Sequence, residues 1–508
     1  MGLSSRFGLR DILSAPVGNS LKAESRSLAD ISSVVVDKEA GLHRQLSSRQ
    51  LAMIAIGGAI GTGLFLGSSL AVRAAGPAVI LTFVLGAAIT LLLMGALSEM
   101  SVAHPTAGSF GVHAEIYLGR WAGFVVRYTY WAVQAIAIGG EATAVAVYCR
   151  WWFPNVPSWL WIVGFSAGLL WVNARSVGSF GTFEYWFAMI KVVAIVLFIV
   201  FGAAMPLGAG HPAIGARNFT AHGGFFPRGL SGMWMAIVFV IYGYIGAEIV
   251  AVTAGEAKDP ERAVPRAMRS MVGRLILFYI GAMIVLIGVV PWDRIQPGAD
   301  VTASPFVTVF QVMGIPAAAH VVNFVVLTAA LSSINCNFYL VTRMMFSLAR
   351  GGYAPGVFGK VSRQGTPVNA LLMSTFGLAL ATVMAALYPR TAYVYMFGIA
   401  LFGGLFIWLM IFLTHLPFRR RWEQSGAPPL PVRMPGYPFT TLLGAASIIA
   451  ILLTTWWVEG MRVTLLAGIP WLAFISLCYV LWRRASRVAR VYDPGGHGSE
   501  TRATQPAP

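Results

Sequence analysis

Glu141, Lys191 and Glu248 each lie inside an apolar stretch long enough to cross a bilayer. An ionisable group in hydrocarbon is expensive and marks a substrate or ion pathway by default. Glu141, in AIAIGGEATAVAVY, has no charged neighbour for many residues on either side. It either meets a substrate and its proton or packs as a protonated, hydrogen-bonded acid. Lys191 lies eight residues from the start of its stretch at Phe183, roughly 12 Å in at ~1.5 Å per residue. It either snorkels to the interface or is buried. There its charged form is costly, and the amine becomes a carrier of protons.

Glycine interrupts two of these stretches. The first reads Gly57-Gly58-Ala59-Ile60-Gly61-Thr62-Gly63, the second Tyr242-Gly243-Tyr244-Ile245-Gly246-Ala247-Glu248. A helix broken in the membrane leaves N–H and C=O groups that need a polar partner. A matched pair of such breaks, one per half of a chain, points to a transporter's binding site. The competing explanation is close helix packing through small residues. A break in the first stretch opens a half-helix N-terminus, whose free N–H groups attract an anion. A break in the second frees carbonyls that accept from a cation. An amino acid zwitterion carries both charges a short distance apart, so the pair fits an α-amino acid better than a sugar or a lipid.

Catalytic and metal patterns are missing. Cys149, Cys336 and Cys478 make no CxxC pair, the eight histidines include no HExxH, and there is no GxSxG or GxxxxGK[ST]. An integral-membrane enzyme would need a cluster of such groups at one membrane face. No enzyme activity, cofactor or metal is expected.

The elements that must position these residues follow from composition. Hydrophobic residues make up 57% of the chain and charged residues 11%, against roughly 45–50% and 25% in soluble domains. Stretches of about 20 apolar residues fall at roughly 49–72, 77–100, 121–149, 157–174, 183–206, 230–255, 272–291, 315–348, 368–388, 391–416, 438–458 and 464–483. Twelve transmembrane helices are expected. With the N-terminus inside, 27 of the 36 Lys and Arg fall in the inner tails and loops or toward the inner ends of the stretches, and seven in the outer loops. This bias sets both termini in the cytoplasm of a multi-pass protein of the cell (inner) membrane. The net charge of +17 therefore reports topology and contact with the lipid bilayer, not nucleic acid. Residues 1–45 and 485–508 read as polar cytoplasmic tails around a domain spanning 46–484.

Four motifs carry a resemblance. They are RQLAMIAIGGAIGTGLFLGS, from Arg49 to Ser68; FEYWFAMIK, from Phe183 to Lys191; Gly246-Ala247-Glu248 running into Ala254-Gly255-Glu256-Ala257 with Pro260 and Pro265; and VVLTAALSSIN, from Val325 to Asn335, leading into Arg343-Met344-Met345-Phe346. From about residue 42 to 485 the chain resembles bacterial permeases of the amino acid transporter family, in the amino acid–polyamine–organocation superfamily. The resemblance implies an all-α fold of two inverted five-helix repeats, about 49–206 and 230–416, with broken helices 1 and 6 and two peripheral helices at about 438–483. It implies that Gly57, Gly58, Gly61, Gly246 and Glu248 shape the breaks, with Glu248 tying helices together by hydrogen bonds. The substrate carboxylate would meet the backbone of Thr62 and Gly63, with a bond from the Thr62 hydroxyl. The amino group would meet carbonyls near Ala59, Tyr242, Gly243 and Ile245. Tyr242 would gate the pocket or stand as an ordinary core aromatic. Glu141 would face the pocket. Lys191 takes the place of a sodium ion held by sodium-coupled proteins of this fold, which implies proton coupling. Ser332, Ser333 and Asn335, with Met396, Phe397 and Gly398, are offered for the substrate's side chain.

The expected activity is proton symport of a neutral amino acid, driven by the proton gradient. The alternatives are an exchanger, or a permease for γ-aminobutyrate or a polyamine. The partners are then the amino acid, the proton and the bilayer. Oligomeric state and protein partners are not read from the sequence.

Overall fold

The computed structural model describes residues 44–65, 67–208, 215–295, 304–312, 317–387 and 392–492, with Val36, Leu42 and Gly314. The tail 1–45 lies almost wholly outside them, as does the end of the C-terminal tail. Among the described residues the chain is helical, with one isolated parallel bridge between Leu46 and Ala257.

Among the described residues eight stretches of helix are long and apolar enough to cross a membrane: Gly63–Ala103, Arg120–Arg150, Val177–Ala204, Gly229–Glu256, Pro260–Val289, His320–Arg350, Tyr395–Gln424 and Val463–Ala485. The surface is inverted relative to a water-soluble protein. Phe439, Leu230, Trp457 and Trp186 are exposed, while Arg127, Arg343, Lys191, Glu184, Glu248 and Glu256 are buried. Exposed apolar area on this scale is what hydrocarbon covers, and the chain is a multi-pass membrane protein.

The first broken stretch folds as α1 (Ser48–Ala59), α2 (Thr62–Phe65) and α3 (Gly67–Ala75). Ser47 caps α1, its hydroxyl accepting from Gln50 N at 3.3 Å while Gln50 Oε1 accepts from Ser47 N at 3.1 Å. The helix stops at Ile60, which leaves helical geometry (φ −88°, ψ 87°). Then follow α4 (Val79–Ala103), α5 (Ser109–Leu118), α6 (Arg120–Arg150), α7 (Ser158–Arg175) and α8 (Val177–Gly208). The short α5 was not anticipated: it lies in the polar connection after the second apolar stretch. The fifth helix starts at Val177, ahead of the expected 183, because the residues from 177 carry no helix breaker apart from glycine.

The second broken stretch folds as α9 (Gly229–Met235), α10 (Ile237–Tyr244) and α11 (Ile249–Thr253). Its break spans Ile245, which is extended (φ −62°, ψ 135°), and Gly246 at φ +107°, a conformation closed to ordinary L-residues. The rest comprises α12 (Pro260–Val289), α13 (Pro305–Val312), α14 (Ala318–Arg350), α15 (Val368–Met373), α16 (Phe376–Leu387), α17 (Ala392–Gln424), α18 (Phe439–Thr454) and α19 (Val463–Tyr492). Pro260 opens α12, where its missing N–H costs nothing. α13 was also unanticipated, and α19 runs eight residues into the expected tail.

α14 and α6 form the centre, and each packs on the other along its length. The apolar window of the α14 span is 89% buried, against 22% for the α19 span at the periphery. Around this centre the two breaks face each other. A Cβ at Gly58 would sit 3.3 Å from Gly246 O, and one at Gly63 would sit 3.4 Å from Gly243 Cα. The Leu46–Ala257 bridge ties the same two stretches at one end: Leu46 N donates to Glu256 O at 3.1 Å, and Lys258 N donates to Leu46 O at 3.2 Å.

Candidate substrate and coupling site

A small polar cavity of about 40 Å³ lies where the breaks meet. The first break contributes Gly58, Gly61 and Gly63, and the second contributes Tyr242, Gly243, Ile245 and Gly246. α6 contributes Gln134, Ala137 and Glu141, a spacing of three and four residues that puts them on one helix face. α14 contributes Ser333 and Asn337, again one face, and α17 contributes Ala400. A Cβ at Gly61 would stand 3.4 Å from Glu141 Oε1 and 3.4 Å from the Ser333 hydroxyl. These glycines let backbone approach polar side chains. Tyr242 closes one side: its ring lies 3.9 Å from that of Phe397, centroid to centroid.

Of the residues expected to bind substrate, Gly63, Glu141, Tyr242, Gly243 and Ile245 line the cavity, and Gly58, Gly61 and Gly246, expected to shape the breaks, line it with them. Ala59 ends α1 at the first break, and its side chain, like that of Thr62, lies outside the described residues. The expected bond from the Thr62 hydroxyl lies there too. Ser332 does not line the cavity; its neighbour Ser333 does. One helical position apart turns Ser332 about 100° away, toward α8.

There Ser332 joins a second, fully buried cluster. Lys191 Nζ donates to Gly57 O at 2.6 Å, to Ile60 O at 2.7 Å and to Ser332 Oγ at 2.7 Å. Three acceptors match the three N–H groups of an ammonium. The carbonyls belong to the end of α1, where no further turn of helix claims them and the dipole favours a cation. With no exposure at all, Lys191 does not snorkel. Ser332 Oγ in turn donates to Glu184 Oε1, and Asn335 Nδ2 donates to Glu184 Oε2 at 3.0 Å. Asn173 Nδ2 on α7 donates to Asn335 Oδ1 at 2.8 Å. A Cβ at Gly57 would overlap Glu184 Oε1, so Gly57 is what allows this carboxylate against α1.

Glu248 stands at the second break. It accepts from Gly246 N at 2.9 Å, from Tyr130 OH at 3.1 Å and from Trp408 Nε1 at 3.2 Å. It therefore fastens the break to α6 and α17 and has no place in the cavity lining.

The amino acid permease family profile matches residues 50–488. The chain belongs to the amino acid permease family. The permease is 37% identical over 448 residues to a γ-aminobutyric acid permease of Bacillus subtilis (strain 168), covering 88% of this chain and 95% of that protein. It is 36% identical over 457 residues to the aromatic amino acid transport protein AroP of Escherichia coli (strain K12), covering 89% of this chain and 98% of that protein. Amino acid transport across a membrane is thus the shared frame of this permease and its relatives.

Sequence reasoning missed Glu184, Gln134 and Asn337. Glu184 and Lys191 are seven residues apart and so share one face of α8, two turns from each other, which was the available signal. The spacing of Gln134 from Glu141 carries the same signal. For Asn337 it is the four-residue step from Ser333.

Proposed function

We propose that this permease is a proton symporter for a neutral amino acid, working by alternating access in the cytoplasmic membrane with both termini inside. The reading includes twelve spans arranged as two inverted five-helix repeats, with helices 1 and 6 broken. One observation carries it: Lys191 sits as a three-bonded cation on the carbonyls of Gly57 and Ile60, immediately behind the break that lines the cavity.

The substrate carboxylate meets backbone N–H groups from Gly61 to Gly63, and the amino group meets carbonyls freed by the second break together with Glu141. Among the described residues no Lys or Arg lines the cavity, so an acidic side chain would find no counter-charge there. Gln134, Ser333 and Asn337 offer hydrogen bonds to a neutral one. The relatives' named substrates, γ-aminobutyric acid and aromatic amino acids, also carry no net side-chain charge, which supports the same class. A fixed cation on the first broken helix ties the geometry of the break to the proton on Lys191. Losing that proton turns the donor of the two bonds to the α1 carbonyls from a charged ammonium into a weaker neutral amine, and the hold on the half-helix loosens.

The test is uptake by purified protein in liposomes under an inward proton gradient without sodium. The twenty L-amino acids and γ-aminobutyrate are screened singly. Accumulation of a neutral amino acid that a protonophore collapses is expected. A requirement for sodium, or uptake that ignores the gradient, would replace symport by sodium coupling or exchange.

A further inference from the structure

We infer that the coupling proton is shared by a buried pair, Lys191 and Glu184, and passes between them through the Ser332 hydroxyl. This deepens the proton-symport reading and rests on it.

The hydroxyl is already set for transfer. It accepts from Lys191 Nζ at 2.7 Å and donates to Glu184 Oε1. In one step an Nζ–H bond breaks as an Oγ–H bond forms, while the hydroxyl's original proton passes to Glu184 Oε1. One proton has moved, and an ammonium–carboxylate pair has become an amine and a carboxylic acid. Net charge is unchanged, so the step needs no new counter-ion in a low-dielectric interior. Glu184 stands two turns before Lys191, about 10 Å nearer the start of α8 at ~1.5 Å per residue, which is the end the charge bias assigns to the cytoplasm. From Glu184 the proton leaves inward. The carboxylate then stands ready, and Lys191 is recharged from outside.

The surroundings hold the pair in register. Asn335 fixes the second oxygen of Glu184 and is itself fixed by Asn173, while α1 covers both groups through Gly57. The other titratable groups facing the pair are the Cys336 thiol of α14, which touches Glu184, and Glu141 of α6, on the cavity side. Neither bridges Lys191 to Glu184. A purely structural ion pair would be served by direct contact; an intervening hydroxyl that accepts from one partner and donates to the other is what a relay needs.

The experiment compares two readings of the same proteoliposomes over the panel of labelled amino acids. Exchange at equal pH on both sides needs no net proton movement, whereas gradient-driven accumulation does. In Glu184→Gln and Ser332→Ala the ratio of accumulation to exchange should fall at least tenfold, and Ser332→Thr, which keeps a hydroxyl, should recover most of it. Equal loss of both activities in Glu184→Gln would make Glu184 a packing residue. Accumulation in Ser332→Ala within twofold of the parent would remove the relay while leaving proton symport through Lys191 intact. A parent that never accumulates under the gradient would overturn both readings together.

Discussion

Tyr242 lies over Phe397 with ring centroids 3.9 Å apart and planes inclined by 33°, so the Tyr242 ring that lines the cavity from α10 rests against a second aromatic ring from α17. A cavity of about 40 Å³ has room for a few waters, so an amino acid needs the lining to move, and Tyr242 is the largest side chain in it. An aromatic pair contributes about 0.5–1.5 kcal/mol beyond its buried area. Tyr242→Ala removes that cost in advance and should therefore lower KM several-fold, with maximal velocity less affected. Steady-state uptake measures this, and an unchanged KM would leave Tyr242 as an ordinary core aromatic.

The glycines of the first break differ in what surrounds them, which separates their roles. A Cβ at Gly57 would overlap Glu184 Oε1, one at Gly63 would stand 3.1 Å from Tyr242 Cδ1, and one at Gly67 would meet nothing within 4 Å. Gly67→Ala should transport as the parent does. Gly63→Leu should insert normally and transport nothing, because its side chain fills the cavity. Gly57→Ala should damage accumulation most relative to exchange. Uptake per inserted molecule ranks the three, and equal tolerance at Gly57 and Gly67 would contradict the packing of α1 on Glu184.

The breaks were legible in the sequence because glycine inside a long apolar run has few explanations, and two such runs have fewer. The residues lining the cavity from α6 and α14 were only partly legible. Glu141 announces itself as a charge in hydrocarbon, but Gln134 and Asn337 are neutral, and only a helical spacing to Glu141 and Ser333 links them to the site. Ser332 and Ser333 differ by one position, and no pattern in VVLTAALSSIN says which faces α8 and which the cavity. Glu184 sits one residue inside the expected start of its stretch, where a charge reads as an interfacial residue. The true start at Val177 is what buries it.

Arg343 and Glu256 form a second buried ion pair. Nε donates to Oε1 at 2.7 Å and Nη2 to Oε2 at 3.1 Å, with Tyr339 OH donating to Oε1 at 3.0 Å. Removing one partner of such a pair leaves an uncompensated charge and costs about 3–5 kcal/mol. Arg343→Met should lower the melting temperature in detergent, and adding Glu256→Gln should restore part of it. A double variant no more stable than the single one would mean that the pair is not the source of the loss.

His104 and His113 pack together just beyond α4. His113 Nε2 lies 3.0 Å from His104 O, and His104 Nε2 lies 2.8 Å from Tyr117 OH. Burial pushes His104 down to about 4 and His113 to about 3, below the ordinary value near ~6.5. Between those values the unfolded chain binds more protons than the folded one, so stability rises with pH. The contribution is complete above about pH 6.5 and is lost as pH falls from there toward the folded values. Thermal unfolding in detergent should therefore weaken from pH 7 to pH 5, and His113→Gln should flatten that slope. An equally steep slope in the variant would assign the loss to other groups.

Lys191 supplies the sharpest test of how the first break is held. Its three donors are spent on Gly57 O, Ile60 O and Ser332 Oγ. Lys191→Ala removes all three bonds, and accumulation under a proton gradient should fall far more than exchange. Lys191→Arg keeps the charge but cannot release a proton at any accessible pH, and its planar fork does not reproduce three bonds diverging from one nitrogen. It should therefore fail to restore accumulation even where it restores folding. Gradient-driven uptake and counterflow, run side by side with detergent stability, separate these losses. Full accumulation by Lys191→Arg would show that the site needs only a fixed cation, and the proton would then have to be carried elsewhere, with the Glu141 carboxyl on the cavity wall the next group to test.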